Sequence, residues 1–265
     1  MTFGGRFGSI PAASVMDECL RLQASVAPRT PLGRFFGLSP LSAEASSWFV
    51  GAVGELAVAQ RSRELSDEWV VLHSVPVGTR GSDIDHVVIG PRGVFTINTK
   101  HHDGARVWLG GHRMLINGQK VDHLRNARFE AKRAAKLLTE ATGMPVPVAP
   151  LVVLVGTKEI TVRERPADVF VLSDSRFVRW LEKRKVVFSD EALRRVLLSA
   201  RNPMTWSPGQ HAPVDSSDTF AALRREVRSA RRVRLGWLVG ATGLSAGVAW
   251  QAFAAMSEHF TKLAG

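Results

Sequence analysis

The spacing of hydrophobic and polar residues predicts an alternation of helices and strands. From Ser42 to about Leu65, apolar residues recur at intervals of three and four, as in an amphipathic helix that Ser42 can cap. A nearly continuous apolar run at 147–156 is typical of a central strand covered on both faces. Other runs rich in valine and isoleucine, bounded by glycine or proline, indicate strands at 69–78, 83–90, 94–100 and 168–173.

Three further helices follow the first strands. A hairpin that turns at Gly110 and Gly111 precedes a long helix at about 121–142, which Gly143 and Pro145 stop. Shorter helices are expected near 175–184 and 190–201. This order of elements predicts an α/β protein with a mixed β-sheet flanked by helices.

The expected domain organisation has five parts. One globular region carries the helices and strands, and the segments around it differ from it in composition. The parts are a loosely structured N-terminal arm (1–41), the globular domain (42–201), a linker rich in proline and serine (202–218), a basic helix (219–234) and an apolar helix (235–257).

The apolar helix is predicted to cross a membrane. Residues 235–257 contain no charged side chain and are long enough for a hydrocarbon core of about 30 Å. Arginines before the segment place its N-terminal side in the cytoplasm, so a single-pass protein of the cell membrane is expected, with its globular domain in the cytoplasm. A buried or amphipathic soluble helix is the alternative. The spacings Gly236 to Gly240 and Gly243 to Gly247 favour a homodimer of such helices.

The charge balance points to a polyanionic partner. The chain has 35 Lys and Arg residues against 24 Asp and Glu residues, a formal charge of +11. Such an excess favours binding to nucleic acid or to an anionic membrane surface. Compositional bias of the genome is the alternative explanation. A single cysteine, Cys19, excludes a disulfide within the chain.

Polar residues interrupt two neighbouring strands of the predicted sheet. If Pro91 and Arg92 form a two-residue turn, paired residue numbers sum to 183, so Asp85 faces Asn98. Because side chains alternate along a strand, Asp83, Asp85, Asn98 and Lys100 then project from the same face. The sequence therefore predicts a polar cluster at the end of the hairpin away from the turn.

This hairpin resembles the core of the PD-(D/E)xK nucleases, in which an Asp ends one strand and Glu-x-Lys ends the next. The match is more specific for the nuclease-related domain (NERD) family, because "GAVGE", "RGSDIDHVVIGPRGVFTINTKHH" and "HLRNARFEAKRAAKLL" occur in the order typical of it. The resemblance covers roughly residues 47–180. It implies a restriction-endonuclease-like fold and core site residues Glu55, Asp85 and Lys100, with Asn98 at the first position of Glu-x-Lys.

The resemblance also implies a metal-dependent hydrolysis of phosphodiester bonds in DNA or RNA. Carboxylate and amide oxygens suit Mg²⁺, or Mn²⁺, so Asp85, Glu55 and Asn98 are the expected ligands, while Lys100 steadies the nucleophile and the phosphate. Nucleic acid is expected to contact the long helix at about 121–142, which is also rich in basic residues, and the residues that follow Lys100. The residues concerned are Arg125, Asn126, Arg128, Lys132, His101 and His102.

Asn98 departs from the family pattern. Its neutral amide replaces a carboxylate, so a dication is expected to bind more weakly. Three interpretations remain open: an active nuclease, a catalytically silent module that binds nucleic acid or acts as a scaffold, and a structural cluster in which Asp85 holds Lys100 as an ion pair. The histidines of the chain lack the Cys pairs or HExxH spacing of a zinc site, which favours packing or surface roles for them.

Overall fold

The computed structural model describes residues 7–77, 82–207 and 215–263. Helices and strands alternate along it. The helices are α1 (Ala13–Gln23), α2 (Pro31–Phe35), α3 (Ala43–Ser62), α4 (His123–Thr142), α5 (Phe177–Glu182), α6 (Asp190–Arg201) and α7 (Ser217–Leu263), with a 3-10 turn at Pro203–Thr205. The strands are β1 (Val70–Pro76), β2 (Asp83–Gly90), β3 (Gly93–His101), β4 (Arg106–Gly110), β5 (Arg113–Ile116), β6 (Gln119–Val121), β7 (Val148–Val155), β8 (Glu159–Glu164) and β9 (Phe170–Ser173).

A five-stranded mixed sheet forms the centre of the protein, in the order β1-β2-β3-β7-β9. The first three strands pair antiparallel, whereas β7 runs parallel to β3 and to β9. Pairs in the β2–β3 hairpin run from Gly90 with Gly93 to His86 with Ile97, and the numbers in each pair sum to 183. The structure therefore has the register that the two-residue turn predicts.

Helices cover both faces of this sheet. Val87 and Ile89 face the cluster of apolar side chains formed with α4 and α6, whereas Val88 faces the cluster formed with α3 and α5. The predicted central strand β7 is buried on both faces, since Leu151 and Val152 are fully inaccessible but belong to different clusters. The mixed sheet flanked by helices agrees with the expectation from the sequence.

A second sheet of four strands, in the order β6-β5-β4-β8, lies beside the start of α4. Its β4–β5 hairpin was predicted, although the turn falls at Gly111 and His112. The pattern did not reveal β6 or β8. Strand β8 exposes most of its residues, so it lacks the apolar alternation of a half-buried strand.

Residues 13–23 and 31–35 are helical where the sequence indicated a loosely structured arm. Their apolar faces are short, and tertiary contacts stabilise them: the Ala13 backbone N–H donates to Ser74 Oγ at 2.9 Å. The predicted caps of the longer helices are present. Ser42 Oγ accepts from the Ala45 backbone N–H at 3.0 Å, and Gly143 ends α4 in the left-handed conformation with φ 68°.

The chain divides into two compact units. One comprises Met1–Cys19 with Ser46–Ser217, and the other comprises Leu20–Ala45 with Asp218–Gly265. In the second unit, the Trp237 indole N–H donates to the Phe35 carbonyl at 2.7 Å. Part of the expected linker, residues 208–214, lies outside the described residues.

The predicted transmembrane helix requires correction. Within the part of the chain that the structure describes, no helix combines the length and the hydropathy that crossing a membrane requires. The expected basic and apolar helices are instead one continuous helix, α7. Its apolar stretch is uncharged, but it is rich in Ala and Gly and includes Thr242 and Gln251. Its mean hydropathy is therefore lower than the absence of charged residues suggested.

Candidate active site

The polar residues of the β2–β3 hairpin lie together at the end away from the turn. The Thr99 backbone N–H donates to Asp85 Oδ2 at 2.6 Å, which links the acidic strand to the strand that carries Asn98 and Lys100. Asn98 is almost fully buried, with 4% of its surface exposed, whereas Asp85 and Lys100 are partly buried. Asp83 accepts a hydrogen bond from the Ser14 hydroxyl of α1.

Glu55 reaches this cluster from α3. A Cβ atom at the preceding Gly54 would lie 2.9 Å from His101 Cβ and 3.5 Å from Thr99 Cγ2, so only glycine allows α3 to cross the end of β3 this closely. Glu55 is buried, and its charge environment includes Asp85, Asp83 and Lys100. The helix-borne glutamate therefore lies near the polar end of the hairpin, as expected.

A further carboxyl group, that of Glu130 on α4, completes the cluster. Asn98 Nδ2 donates to Glu130 Oε1 at 2.5 Å. Glu130 was not among the residues predicted from the sequence. It is the only acidic residue in the first ten positions of a basic helix, and only the packing of α4 on β3 reveals that it faces Asn98.

Burial and mutual repulsion raise the pKa values of these carboxyl groups. Burial, followed by the charge of Asp85, raises the pKa of Glu130 to about 8 and that of Glu55 well above its usual range. Burial raises the pKa of Asp85 to about 6, although Lys100 and the Thr99 N–H oppose the shift. Burial also raises the pKa of Asp83, against the Ser14 hydrogen bond. Ionising all of these carboxyl groups together would concentrate more negative charge than Lys100 can offset.

The oxygen atoms of the cluster are chemically suited to a hard dication. Three carboxyl or amide oxygens of the cluster are buried without a hydrogen-bond partner: Glu55 Oε2, Asn98 Oδ1 and Glu130 Oε2. Carboxylate and amide oxygens are the ligands that Mg²⁺ and Mn²⁺ prefer, and a dication would relieve the repulsion. As they stand, however, no three His, Cys, Asp or Glu side chains of the described residues are grouped closely enough to hold a metal ion together.

A comparison with protein families matches residues 50–155 to the nuclease-related domain. The match covers less than half of the chain and includes α3, the β2–β3 hairpin and α4. The matched region carries all the members of the polar cluster except Ser14, which lies in α1. The resemblance that the hairpin and the "GAVGE" segment indicated is therefore confirmed.

Other comparisons add little to this assignment. The small subunit of the heterodimeric restriction endonuclease R.BspD6I is similar over 78% of this chain and 95% of its own, with 9% sequence identity and a TM-score of 0.23. A TM-score this low does not establish that the two proteins share a fold. No curated protein matches the chain.

Lys100 is not held in an ion pair by Asp85. None of the ion pairs formed among the described residues includes Lys100. Asp85 instead accepts from the Thr99 backbone. The purely structural interpretation, in which an Asp85–Lys100 bridge accounts for the cluster, therefore loses the contact on which it depended.

The basic helix α4 presents a mixed surface next to the cluster. Arg125, Asn126 and Lys132 are exposed, although Arg125 forms an ion pair with Asp122 at 3.2 Å. Arg128 donates to both oxygens of Asp168, at 2.8 and 2.9 Å, so its guanidinium is already engaged. Phe129 lies among these residues with 76% of its surface exposed, and it was not among the nucleic-acid contacts predicted from the sequence.

The histidines after Lys100 have different surroundings. The His101 ring packs against α3, with Nδ1 3.2 Å from the Val50 carbonyl oxygen, so a structural contact already occupies it. His102 stacks on His123, with their Nε2 atoms 3.2 Å apart. Burial, followed by the charge of Lys100, lowers the pKa of His102, and the same causes lower that of His123 to about 4. Both residues were predicted to contact nucleic acid. The His102 ring is less constrained than the His101 ring, which packs against α3.

Proposed function

We propose that the nuclease-related domain of this protein hydrolyses phosphodiester bonds of DNA or RNA with the help of a divalent cation. The observation that carries the proposal is the convergence of Glu55, Asp85, Asn98 and Lys100 on one partly buried site, where buried oxygens lack partners. Acidic clusters with strongly raised pKa values are uncommon without a function, because burying like charges destabilises the fold. The match of residues 50–155 to the nuclease-related domain supports the same reaction class.

Each residue has a separate role in this proposal. Asp85 and Glu55, with Asn98 Oδ1, would hold Mg²⁺ or Mn²⁺, and the Thr99 N–H keeps Asp85 oriented. When bound, the cation lowers the pKa of water and offsets charge on the scissile phosphate. The ammonium group of Lys100 donates to phosphate oxygens and stabilises the negative charge that develops in the transition state.

The experiment uses the full chain with plasmid DNA, single-stranded DNA and RNA, each with Mg²⁺, Mn²⁺ or EDTA. Cation-dependent cleavage that is lost in Lys100→Ala supports the proposal. Lys136→Ala serves as the matched control, because Lys136 is an exposed lysine paired with Glu140 at 3.8 Å. Equal cleavage by wild type and Lys100→Ala would contradict the role of Lys100, and cleavage in EDTA would contradict the role of the cation.

A catalytically silent nucleic-acid-binding module is the second candidate. Asn98 favours it, since a neutral amide stands where the family motif has a carboxylate. The surface of α4 supports binding without cleavage, because Phe129 offers an exposed ring on which a base can stack beside Arg125 and Lys132. Salt-dependent binding that weakens by about tenfold in Phe129→Ala, with no cleavage under any condition, would favour this candidate. Leu198→Ala is a control, since Leu198 on α6 is an apolar side chain of similar exposure, 67% against 76% for Phe129.

A further inference from the structure

The missing carboxylate of the strand motif has a counterpart on the facing helix. Asn98 and Glu130 meet through a 2.5 Å hydrogen bond in which the amide nitrogen donates and the carboxyl oxygen accepts. This contact uses one polar atom of each side chain. The other polar atom of each, Asn98 Oδ1 and Glu130 Oε2, is buried without a partner.

A structural hydrogen bond alone does not account for a glutamate at this position. A glutamine could accept the same bond through its amide oxygen and would be neutral. A glutamate instead adds a group whose ionised form is costly to bury here, because Asp85 and Glu55 repel it and Lys100 only partly offsets that repulsion. An acidic group in such surroundings is favourable when a cation binds there.

The other acidic groups of the cluster differ in availability. Asp83 is engaged by the Ser14 hydroxyl, and one oxygen of Asp85 is engaged by the Thr99 N–H. Glu130 has a buried oxygen with no partner, and so has Glu55. Asn98 itself is 4% exposed, so its unpartnered carbonyl oxygen has little access to water.

We infer that Glu130 supplies, from α4, the carboxylate ligand that Asn98 no longer supplies from β3. Asn98 Nδ2 positions the carboxyl group of Glu130, and Asn98 Oδ1 lies beside it as a neutral oxygen donor. The inference rests on the proposed cation site. It accounts for the departure of Asn98 from the family motif, because the acidic group has moved across the interface between strand and helix.

The test measures Mn²⁺ binding to the full chain by isothermal titration calorimetry without nucleic acid. Glu130→Gln keeps the acceptor for Asn98 and removes the charge, and we expect it to weaken Mn²⁺ binding by about tenfold or more. Exchanging the two groups, in the double variant Asn98→Glu with Glu130→Gln, is expected to restore binding. Glu140→Gln is the matched control on the same helix, since Glu140 is exposed and far along α4; its affinity should equal that of the wild type.

Unfolding midpoints in EDTA separate a ligand from a structural residue. A structural Glu130 would change the midpoint of the metal-free chain and leave Mn²⁺ affinity unaltered, whereas a ligand changes the affinity. If Glu130→Gln does not fold, Glu130→Asp replaces it: lower affinity at an unchanged midpoint supports the inference, and unchanged affinity overturns it. Wild-type affinity in Glu130→Gln, or no Mn²⁺ binding by the wild type at millimolar concentration, also overturns it.

Cleavage assays on the same variants distinguish this inference from the proposed function. Loss of Mn²⁺ binding in Glu130→Gln, in a chain that cleaves no nucleic acid, would leave Glu130 as a ligand and reject hydrolysis. Cation-dependent cleavage that persists in Glu130→Gln would leave hydrolysis in place and reject Glu130 as a ligand.

Discussion

The carboxylate of Asp85 accepts a hydrogen bond from the backbone N–H of Thr99 at 2.6 Å, across the turn-distal end of the β2–β3 hairpin. Thr99 lies between Asn98 and Lys100 in β3. This one hydrogen bond therefore fixes the position of the Asp85 carboxylate relative to the side chains of both neighbours. Because the bond uses a backbone donor, it does not depend on the side chain at position 99. The geometry of the site thus follows from the pairing of two strands.

This relationship allows the charge of Asp85 to be removed without loss of its hydrogen bond. In Asp85→Asn the amide oxygen can still accept from Thr99, so we expect the fold to persist and cation-dependent cleavage to fall by about 10²-fold or more. Burial raises the pKa of Asp85 to about 6, so its ionised form is costly at neutral pH in the folded chain. The variant should therefore unfold in EDTA at the same or a higher temperature. A lower midpoint would show that the charge stabilises the metal-free fold.

Gly54 provides a second prediction, on the approach of α3 to the sheet. The added methyl group of Gly54→Ala would lie 2.9 Å from His101 Cβ, so we expect a loss of about 1–3 kcal/mol in the free energy of unfolding and reduced cleavage as Glu55 is displaced. Gly51→Ala is the matched control on the same helix, because its methyl group would meet Val15 Cγ1 at an ordinary 3.4 Å. Chemical denaturation compares the two. Equal stabilities would mean that α3 can shift without cost.

A partly buried histidine pair predicts a dependence of stability on pH. His73 Nδ1 lies 2.8 Å from His86 Nδ1, and burial, followed by the charge of Arg63, lowers the pKa of His73 to about 4. An unfolded histidine titrates near pH 6.5, so the unfolded chain takes up this proton first as the pH falls. The contribution of His73 is complete above about pH 6.5 and is lost progressively towards pH 4, by up to about 3 kcal/mol.

The variant His73→Asn isolates this effect from the carboxyl groups, which titrate in both proteins. Asparagine retains a polar atom near the position of Nδ1 but does not titrate. The difference between the unfolding free energies of wild type and variant, measured by urea denaturation from pH 7.5 to 4, should shrink as the pH falls. A difference that is constant over this range would contradict the buried, neutral state of His73.

The surface of α4 predicts unequal contributions to nucleic-acid binding. Lys132 is exposed, so Lys132→Gln should lower the slope of log Kd against log salt concentration by about 0.7–0.9, the value for one phosphate contact. Arg128→Gln should change the slope less, because Asp168 already binds the guanidinium at 2.8 Å. Fluorescence anisotropy with a labelled single strand measures both slopes. A larger change for Arg128 would mean that nucleic acid displaces Asp168.

The sequence was sufficient to predict the hairpin and its polar end. Strand periodicity is local, and a two-residue turn between Gly90 and Gly93 leaves one register, so Asp85 and Asn98 could be placed on one face before the fold was known. The proximity of Glu55 followed from the family resemblance, and Gly54 supplies its physical reason. The end of α4 could also be predicted, because Gly143 adopts a conformation that other residues rarely adopt.

Two features were decided only by the tertiary structure. One is the side of α4 that faces the site, and the other is the single helix α7 that contains the apolar C-terminal segment. A helix presents residues in every direction, so Glu130 in a basic sequence gave no local sign that it would face Asn98. The absence of charge from 235–257 suggested a membrane span, but the hydropathy of a Gly- and Ala-rich helix falls short of one. Local periodicity determines secondary structure and strand register, whereas contacts between distant segments depend on how the elements pack.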